Sequence, residues 1–412
     1  MSFPSLPFHP STPLFPKAIL VEEYLKFYAK EFDLLPHISL NVSVLSTKWT
    51  GSVWRVALST GEELDFDRLI VANGHYRIPY YAPIPGLESW IIEKRVTHSA
   101  WYRSPQYVGD TILVVGGGPS GNDLASELST TCQTLIHASP GFPPSNEGNI
   151  RKMGRAIRFS DFLADNSRTV FFEDGSSLSG IDHVFLATGY ELSFPFFKDL
   201  RNSMPEPVPP LPAHLYNSLH HLFPLALDLF PLQADFPPGS AAFIGLPVKV
   251  APFPLFEAQL RAVVQVFANP KTLDGQSEAV ALVARYEALR EEACRNGGNG
   301  EAEDALALVI AHAWHRYKGN EQFEYRDALH AFAGLTGESW RVPQWVYAFY
   351  DAKDVLRKEW RAIEDAGESE KWLDGVGKGG MDEWVDLMQK LYDRASKRDN
   401  FAPSLSSGDA KL

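Results

Sequence analysis

One short segment of this sequence carries glycines at a spacing that suits phosphate binding. Residues 116–121 read Gly-Gly-Gly-Pro-Ser-Gly and satisfy the pattern G-x-G-x-x-G. The pattern is informative here because a predicted strand, residues 112–115, precedes it and a predicted helix follows it. In such a unit Gly116 allows a tight turn, Gly118 lets a pyrophosphate approach the backbone, and Gly121 lets helix and strand pack closely. The N–H groups at the start of the helix then face the anion, so the segment predicts dinucleotide binding.

The strand after this motif indicates which dinucleotide is preferred. An NAD site usually has an acidic residue about 20 positions beyond the glycines, where it binds the ribose 2′-hydroxyl. Here that strand ends Leu-Ile-His-Ala-Ser at residues 135–139, with no carboxylate. Ser139, with Arg151 and Lys152 further on, suits a 2′-phosphate better. We therefore favour NADP(H) over NAD(H) and leave open which basic residue contacts the phosphate.

The chain contains two similar segments that each end a buried strand in a turn of small residues. Residues 59–76 and 173–191 both run from a tight turn through a strand to Ala-x-Gly and a ring side chain. Small residues there let a ligand approach the carboxyl edge of a sheet. Gly116 lies 73 residues before Gly189, but the same distance counted back from Gly74 reaches the first residue. We therefore expect a first dinucleotide-binding domain that lacks its N-terminal part, namely the opening strand and the glycine-rich loop.

The elements around these turns follow from periodicity. Apolar residues at helical spacing predict a helix at residues 19–32, and alternation predicts strands at residues 37–44 and 52–59. Helical patterns rich in Trp and Tyr run from about residue 305 to residue 395. The candidate ligand contacts of the turns and of the rest of the glycine loop are Pro119, Ser120, Asn122, Thr188, Gly189, Asn73, Gly74 and His75.

Composition excludes several classes of protein. The net charge of −13 argues against a nucleic-acid-binding protein and against an anionic membrane surface as partner. Cys132 and Cys294 form no CxxC motif, which excludes a disulfide scaffold and a thiolate metal site and fits a reducing compartment. The N-terminus lacks a basic region and an apolar run, and prolines interrupt the longest apolar segment, residues 241–256. We expect a soluble, cytoplasmic protein.

Histidines outside these turns could suggest a metal site. His312 and His315 lie one turn apart on a predicted helix. A metal site needs a third ligand, and none is nearby in the sequence. We therefore expect these histidines to be packed or exposed and predict no metal.

Several segments of the first 265 residues resemble flavin-containing monooxygenases of the fungal kind in letters, order and spacing. They are MSFPSLPF, ILVEEYLKFYA, VANGHYRIPYYAPIPGL, HSAWYRSP, VVGGGPSGNDLASEL, FLATGY, AFIGL and PFPLFEAQLRA. The chain departs from the family at Ile92 and Lys94, where Phe and Gly are usual, and at Asn73, where Thr is usual. The family's FAD glycine loop, and the active-site Asn before the MSFPSLPF-like segment, have no counterpart.

The resemblance implies an α/β fold with two Rossmann-like dinucleotide-binding domains, the first incomplete at its N-terminus, and a helical C-terminal region. Residues 1–97 would form a partial FAD-binding domain and residues 98–192 the NADP-binding domain. Residues 193–270 would return to the FAD-binding domain, and residues 271–412 would form a helical extension.

The resemblance also implies a chemistry. NADPH would reduce FAD, and the reduced flavin would react with molecular oxygen to oxygenate a soft nitrogen or sulfur nucleophile of a small-molecule substrate. The cofactor carries the chemistry, and the protein orients it and excludes water. No acid–base pair is needed at the substrate, so we nominate no catalytic side chain.

The resemblance adds cofactor contacts outside the glycine loop. His98 and Ser99 would line the NADP cleft, although a hydrogen-bonded linker histidine is almost as good an interpretation. Gly245 would let a strand end lie against the flavin, because only a small residue leaves room for a ring system. Gln259 would face the flavin from a helix start, and the alternative is an exposed position in a solvated first turn.

Two other functions fit parts of the sequence. An NADP-binding protein that cannot hold FAD, a remnant or fragment of such an enzyme, would also keep the intact glycine loop. A disulfide reductase shares the two-domain plan, but it is poorly supported because the chain has no redox CxxC. Flavin colour in the purified protein distinguishes the monooxygenase, which would be yellow, from the NADP-binding protein without FAD, which would be colourless.

Overall fold

The computed structural model describes residues 2–164, 166–205, 208–295 and 303–399. The chain forms two compact units. The first is discontinuous and comprises Met1–Asn73 and Phe194–Leu412, and the second is the continuous segment Gly74–Ser193. The second unit is therefore inserted into the sequence of the first.

The described residues form α-helices and strands joined by short turns. The helices are α1 (Ala18–Glu31), α2 (Leu87–Ile92), α3 (Pro119–Leu128), α4 (Pro252–Ala268), α5 (Gly275–Ala293), α6 (Glu303–Trp314), α7 (Glu321–Phe332), α8 (Gln344–Asp351), α9 (Lys353–Asp365), α10 (Ser369–Leu373) and α11 (Met381–Asp399). The strands of the first half are β1 (Val44–Trp49), β2 (Trp54–Leu58), β3 (Glu63–Phe66), β4 (Leu69–Val71), β5 (Ile78–Pro79), β6 (Val96–His98), β7 (Thr111–Val115), β8 (Thr134–Ala138), β9 (Ser145–Glu147), β10 (Ile150–Met153) and β11 (Ala156–Phe159). The later strands are β12 (Val170–Phe172), β13 (Ser177–Leu178), β14 (His183–Leu186), β15 (Tyr190–Glu191), β16 (Leu200–Arg201), β17 (Leu215–Asn217), β18 (Leu222–Phe223), β19 (Leu225–Ala226), β20 (Phe230–Pro231) and β21 (Ala241–Phe243).

The second unit is built on a sheet with the strand order β6-β14-β7-β8-β10-β9. All neighbours pair in parallel except β9, which is antiparallel to β10. From β7 the chain moves through α3 to β8 on one side, and β14 later pairs with β7 on the other side. The order therefore reverses at β7, which makes the carboxyl end of β7 the topological switch point where such sheets bind ligands.

Apolar side chains cover both faces of this sheet, as its almost continuously apolar strands require. On one face Leu124 and Leu128 of α3 pack with Ile112 and Leu135 of the sheet. On the other face the sheet packs with a cluster that includes Trp90 of α2, with residues of the small antiparallel sheet β11-β12-β13 in the same cluster. The predicted strand at residues 112–115 and the helix after the glycines are confirmed.

The first unit contains a three-stranded antiparallel sheet, β1-β2-β3, and a parallel pair, β4-β21. Trp54 of β2 is fully buried, and its indole N–H donates to the carbonyl of Ser240, 3.0 Å away. Val71 of β4 lies beside Phe243 of β21. Each copy of the repeated segment supplies a parallel strand, β14 for the second copy and β4 for the first. All four residues of β14 are buried, as expected, but Ile70 of β4 is 44% exposed, so the predicted buried strand is confirmed only for the second copy.

Helices account for most of the C-terminal part of the first unit. α4 packs against α7 through a cluster that includes Leu255, Ala258, Val263 and Leu329. Trp360 of α9 is fully buried in a separate cluster with side chains of α11. The helical pattern predicted from residue 305 is confirmed. No helix within the described residues combines the length and apolar character needed to cross a bilayer.

The strand predicted at residues 37–44 is wrong, because the strand begins at Val44. Asn41 has a φ of 59°, in the left-handed region that interrupts extended backbone, and Leu40 is 79% exposed. The alternation of apolar residues there does not correspond to a buried face. The helix predicted at residues 19–32 is confirmed as α1, although Tyr24 is its buried residue and Phe27 is half exposed.

Candidate functional site

The carboxyl ends of four parallel strands of the second unit lie side by side. Leu186 of β14 is in register with His98 of β6 and with Val115 of β7, and Val115 is in register with Ala138 of β8. The next residues along the chain therefore meet at one edge of the sheet. They are Ser99, Ala187, Gly116 and Ser139.

The glycine turn after β7 is shaped by two close backbone approaches. Gly116 has a φ of 122°, and its N–H donates to the carbonyl of Ala138, 2.8 Å away. A Cβ added to Gly116 would lie 2.3 Å from the carbonyl oxygen of Ala187. A Cβ added to Gly121 would lie 1.8 Å from the carbonyl oxygen of Gly116. Both positions therefore require glycine, in the roles the sequence predicts for the turn and for helix–strand packing.

The start of α3 leaves backbone N–H groups directed away from the helix. Gly118 is the residue before the helix, and no side chain caps the helix there. Pro119 opens the helix, and the N–H of Asn122 is the donor to the Gly118 carbonyl, at 3.0 Å. The N–H groups of the first turn, including those of Ser120 and Gly121, have no partner within a helix by construction. A Cβ added to Gly118 would meet nothing within 4 Å, so open space lies beside these donors.

His137 of β8 holds the turn from below and was not predicted as a site residue. Its buried ring places Nε2 2.9 Å from the carbonyl oxygen of Gly116, a bond in which the nitrogen donates. The ring edge also packs on Phe142, with centroids 5.0 Å apart. Burial lowers the pKa of His137, so the ring is neutral at pH 7. A histidine inside an otherwise apolar strand, Thr-Leu-Ile-His-Ala, is the sequence signal that could have identified it.

Ser139 follows β8 and lies against the glycine turn. It is buried, its N–H donates to the carbonyl of Met153, and its hydroxyl oxygen would be 2.6 Å from a Cβ built on Gly117. Of the two basic candidates, Lys152 forms an ion pair with Glu147 at 2.6 Å. Arg151 is exposed. The contact between a basic residue and a 2′-phosphate stays a prediction.

His98 closes the sheet edge at β6. The ring is fully buried, and Nδ1 accepts a hydrogen bond from the N–H of Ala100 at 3.1 Å, so the neutral ring carries its proton on Nε2. Among the described residues Nε2 makes no hydrogen bond of normal geometry, although the backbone of Gly189 lies close enough to interact with the ring. Burial lowers the pKa of His98, and the backbone of Gly189 opposes this more weakly. The interpretation of His98 as a hydrogen-bonded linker histidine therefore explains Nδ1, which binds Ala100, but it does not explain the role of Nε2.

Thr188 and Gly189 form the turn after β14 and are fixed by the segment around Tyr80. The Thr188 hydroxyl donates to the carbonyl of Tyr80 at 2.5 Å, and the N–H of Tyr80 donates to the carbonyl of Gly189 at 2.9 Å. Gly189 has a φ of 87°, which favours glycine. The turn is thus built of small residues, as predicted, and it lies at the same edge of the sheet as Ser99 and the glycine loop.

The remaining candidates follow the first copy of the repeat. Asn73 ends the first segment of the first unit, two residues beyond Val71. Gly74, with a φ of 73°, and His75 belong to the second unit. The His75 ring packs edge-on against Tyr76, with centroids 4.2 Å apart.

Gly245 and Gln259 are joined directly. Gly245 lies two residues beyond Phe243, the strand partner of Val71, and has a φ of 81°. Its N–H donates to Oε1 of Gln259 at 3.0 Å. Gln259 is the eighth residue of α4 and is fully buried, so it lies neither at the start of the helix, as predicted, nor in an exposed first turn, as the alternative had it. The structure therefore pairs Gly245 with Gln259 under the end of β21.

Of the two histidines that the sequence places one turn apart, His315 is packed and His312 is exposed. His315 is buried with Nδ1 3.1 Å from Oδ1 of Asp228, and His312 stacks on His220 with centroids 3.7 Å apart. Within the part of the chain that the structure describes, no three His, Cys, Asp or Glu side chains are placed to hold a metal ion. Asp228 also accepts hydrogen bonds from Arg285 and Tyr317, which sequence reasoning did not find.

The geometry of the second unit fits a dinucleotide. Three features match the needs of a pyrophosphate: open space beside Gly118, N–H groups at the start of α3 that no described side chain caps, and small residues on the adjacent strand ends. The first unit fits a flavin in part. It offers Asn73 and Gly245 after adjacent parallel strands, but its described residues include no strand–glycine loop–helix unit of their own.

Comparison with known proteins agrees with this geometry. The sequence profile of the family described as flavin-binding monooxygenase-like matches residues 1–142 and 156–303. A thiol-specific monooxygenase of Saccharomyces cerevisiae is 32% identical over 65% of this chain and 62% of the relative. A flavin-containing monooxygenase of Arabidopsis thaliana, FMO GS-OX-like 2, is 29% identical over 62% of this chain and 53% of the relative.

A solved structure shares the fold. The S-allyl-L-cysteine S-oxygenase of Allium sativum superposes with a TM-score of 0.67 and 22% identity, covering 96% of this chain and 82% of that chain. The chain spans roughly half to two thirds of the length of the curated relatives it matches. The fold is thus mixed α/β with a Rossmann-like plan, and the resemblance noted in the sequence is confirmed. The profile match covers more than half of the chain, which belongs to the flavin-binding monooxygenase-like family.

Proposed function

We propose that this chain is a monooxygenase subunit or segment that uses NADPH and FAD to oxygenate soft nucleophiles, with sulfur favoured over nitrogen. The observation that carries the proposal is the sheet edge of the second unit. There Gly118 leaves open space beside the N–H groups at the start of α3, which no side chain of the described residues caps. Family membership supports the flavin, and the absence of a carboxylate after β8 favours NADP(H) over NAD(H).

We propose separate tasks for the two units. The second unit would bind NADPH, which supplies a hydride when it is bound. Its α3 N–H groups would hold the pyrophosphate. Thr188 and Gly189 are small, so they would leave room for the dinucleotide to pass over the carboxyl end of β14. Ser139 would lie beside the ribose, with Arg151 or Lys152 at the 2′-phosphate. His98 would offer its Nε2–H, which makes no hydrogen bond of normal geometry to the described residues, to the same ligand.

The first unit would bind the flavin through Asn73 and Gly245, with Gly74 and His75 following in the chain. These positions extend the ends of β4 and β21, which are parallel neighbours. The domain bounds at residues 97/98, 192/193 and 270/271 and the cytoplasmic location stay predictions, as does an incomplete first domain. Molecular oxygen would be the co-substrate, and no side chain of this chain is assigned an acid–base role.

The substrate class rests on the curated relatives. The yeast protein is named for its action on thiols, and at 32% identity it is similar enough to suggest the same class of nucleophile. A thiol sulfur is a soft nucleophile. Transfer of one oxygen atom from O2 would convert the thiol to a sulfenic acid, and NADPH would supply the two electrons that reduce the other oxygen atom to water. We therefore infer a thiol ahead of a tertiary amine.

A second candidate is an NADP-binding protein without flavin. It is favoured by one observation, the lack of a phosphate-binding loop among the described residues of the first unit. This protein would bind NADPH as tightly as the enzyme but would be colourless and would not consume oxygen.

One experiment separates the candidates. Purified protein is incubated with FAD, desalted and examined for flavin absorbance, and NADPH binding is titrated in parallel. Oxygen and NADPH consumption are then measured with a small aliphatic thiol, the matched thioether and a tertiary amine. The proposal expects retained flavin and thiol-dependent consumption of both reagents. Protein that binds NADPH but retains no flavin would establish the second candidate.

A further inference from the structure

The loop that joins β21 to α4, residues 245–251, is held by distant parts of the chain. We call it the β21–α4 loop. It begins at Gly245, the proposed flavin contact, and ends immediately before α4. Several of its backbone N–H and C=O groups are bound by residues of the C-terminal helices and of the turn between α6 and α7. Those residues lie beyond residue 303, where the family profile ends.

The first anchor is at Gly245. Its N–H donates to Oε1 of Gln259, and Nε2 of Gln259 donates to the hydroxyl of Tyr325 at 3.2 Å. The Tyr325 hydroxyl in turn donates to the carbonyl of Leu227 at 2.5 Å. Gln259 is fully buried, so its amide cannot turn away to water and its orientation is set by Tyr325 of α7.

The middle of the loop pairs with the backbone between α6 and α7. The N–H of Val248 donates to the carbonyl of His315 at 2.8 Å, and the N–H of Tyr317 donates back to Val248 at 3.4 Å. The hydroxyl of Tyr350 of α8 donates to the carbonyl of Lys249 at 3.3 Å. The two backbone bonds of Val248 form a short parallel bridge to Arg316, between two segments that are far apart in the sequence.

The last anchor is at Ala251. Its N–H donates to Oε1 of Gln322 at 2.8 Å, and Gln322 is 1% exposed at the start of α7. Because Ala251 is the residue before α4, this bond also fixes the first turn of that helix. Nε2 of Gln322 has no hydrogen-bond partner among the residues described, so Oε1 carries the whole interaction.

The loop needs such anchors because its backbone is unfavourable without them. Lys249 has a φ of 62°, and a left-handed conformation is uncommon at a lysine. Unusual backbone angles persist where surrounding interactions determine them. The anchors at both ends and the bridge in the middle supply that determination.

We propose that Gln322, Tyr325 and Tyr350 are positioning residues that hold the β21–α4 loop in the conformation required for the flavin. We call the three side chains the C-terminal clasp. The inference assigns a role to the helices beyond the family profile, and it rests on the proposed function insofar as the ligand is FAD. Gln322 and Tyr350 bond to the loop backbone, and Tyr325 acts on the loop through Gln259. None of the three is proposed as a cofactor contact.

The test uses two substitutions in the full chain. Gln322→Met removes the acceptor for Ala251 while keeping length and helix propensity, and Tyr325→Phe removes one hydroxyl that orients Gln259. Tyr392→Phe is the control, because the Tyr392 hydroxyl on α11 makes no hydrogen bond to the part of the chain that the structure describes. Hydrogen exchange is followed by mass spectrometry in peptides that cover residues 244–251.

Loss of one hydrogen bond predicts exchange about fivefold faster in the loop for each clasp variant, with the control unchanged. Each variant is accepted only if its circular dichroism spectrum matches the wild type. Wild-type exchange rates in both folded variants would overturn the clasp, whether or not the protein binds flavin.

Flavin binding gives the second readout. If the wild type retains FAD, the FAD dissociation constant should rise about fivefold in both clasp variants and stay unchanged in the control. Faster exchange with unchanged FAD affinity would overturn the positioning role. A wild type that binds no FAD would refute the proposed enzyme, and the exchange data would still decide whether the clasp holds the loop.

Discussion

Replacing Gly118 by alanine should weaken NADPH binding without harming the fold. Gly118 has a φ of −75° and a ψ of 179°, which alanine adopts readily, and an added Cβ meets no heavy atom within 4 Å. Removing a glycine lowers the entropy of the unfolded chain, so the free energy of unfolding should rise by about 0.4–1 kcal/mol. The stability of the second unit is therefore expected to be equal or slightly higher.

The same methyl group would occupy the space proposed for the pyrophosphate. Pushing a phosphate away from the N–H groups at the start of α3 removes a hydrogen bond to a charged group, worth about 1.5–3 kcal/mol. The dissociation constant for NADPH should therefore rise roughly 10- to 150-fold. This magnitude depends on the open space and the free donors alone and does not depend on flavin.

The assay pairs NADPH titration, followed by fluorescence, with thermal unfolding of the same samples. Gly275→Ala is the matched control, because Gly275 opens α5 and an added Cβ there also meets nothing within 4 Å. The control should bind NADPH like the wild type. If Gly118→Ala binds NADPH within twofold of the wild type while its fold is intact, the assignment of the pyrophosphate to this helix start is refuted.

Three further predictions concern the stability of the fold, the affinity for NADPH and the dependence of stability on pH. Gly121→Ala should lower the melting temperature, because its Cβ would lie 1.8 Å from the Gly116 carbonyl and overpacking costs about 1–3 kcal/mol; an unchanged melting temperature would contradict this. His137→Phe should raise the NADPH dissociation constant about fivefold by removing the bond to Gly116, whereas equal affinity would exclude a role for His137 in holding the turn. Asp228→Asn should cost about 1–3 kcal/mol, measured by denaturant unfolding, because the Arg285 partner loses its carboxylate. Burial raises the pKa of Asp228, but Arg285 and His315 lower it more, to well below the ordinary value. A lowered pKa stabilises the fold above about pH 4 and the stabilisation is lost as the pH falls further, so the wild type and Asp228→Asn should converge in stability in acid, and parallel curves would be inconsistent with this.

The parts of the fold that the sequence predicted best are those where several local signals agree. The strand, glycines and helix at residues 111–128 are confirmed because branched apolar residues, turn glycines and a proline at the helix start all point to one structure. The segment ending at Gly189 was equally clear. In contrast, alternation alone misled at residues 37–44, where Asn41 takes a left-handed conformation.

Other features could not be predicted because they join residues far apart in the chain. The bond from Gln322 to Ala251 spans 71 residues, and the one from His315 to Asp228 spans 87. No periodicity encodes such pairs, and a buried glutamine looks in sequence like an exposed one. Gln259 shows the consequence, since it is fully buried and its amide nitrogen finds its partner, Tyr325, on α7, 66 residues away.

The pairing of β4 with β21 has a consequence for the order in which the polypeptide matures. Val71 is synthesised well before Phe243, its neighbour in the parallel ladder, and the whole of Gly74–Ser193 is synthesised between them. Contacts at such separation form slowly, because closing a long loop costs entropy before the contact repays it. The inserted unit is thus complete on the ribosome while its host is still unfinished, and its early compaction shortens the distance that β4 and β21 must close.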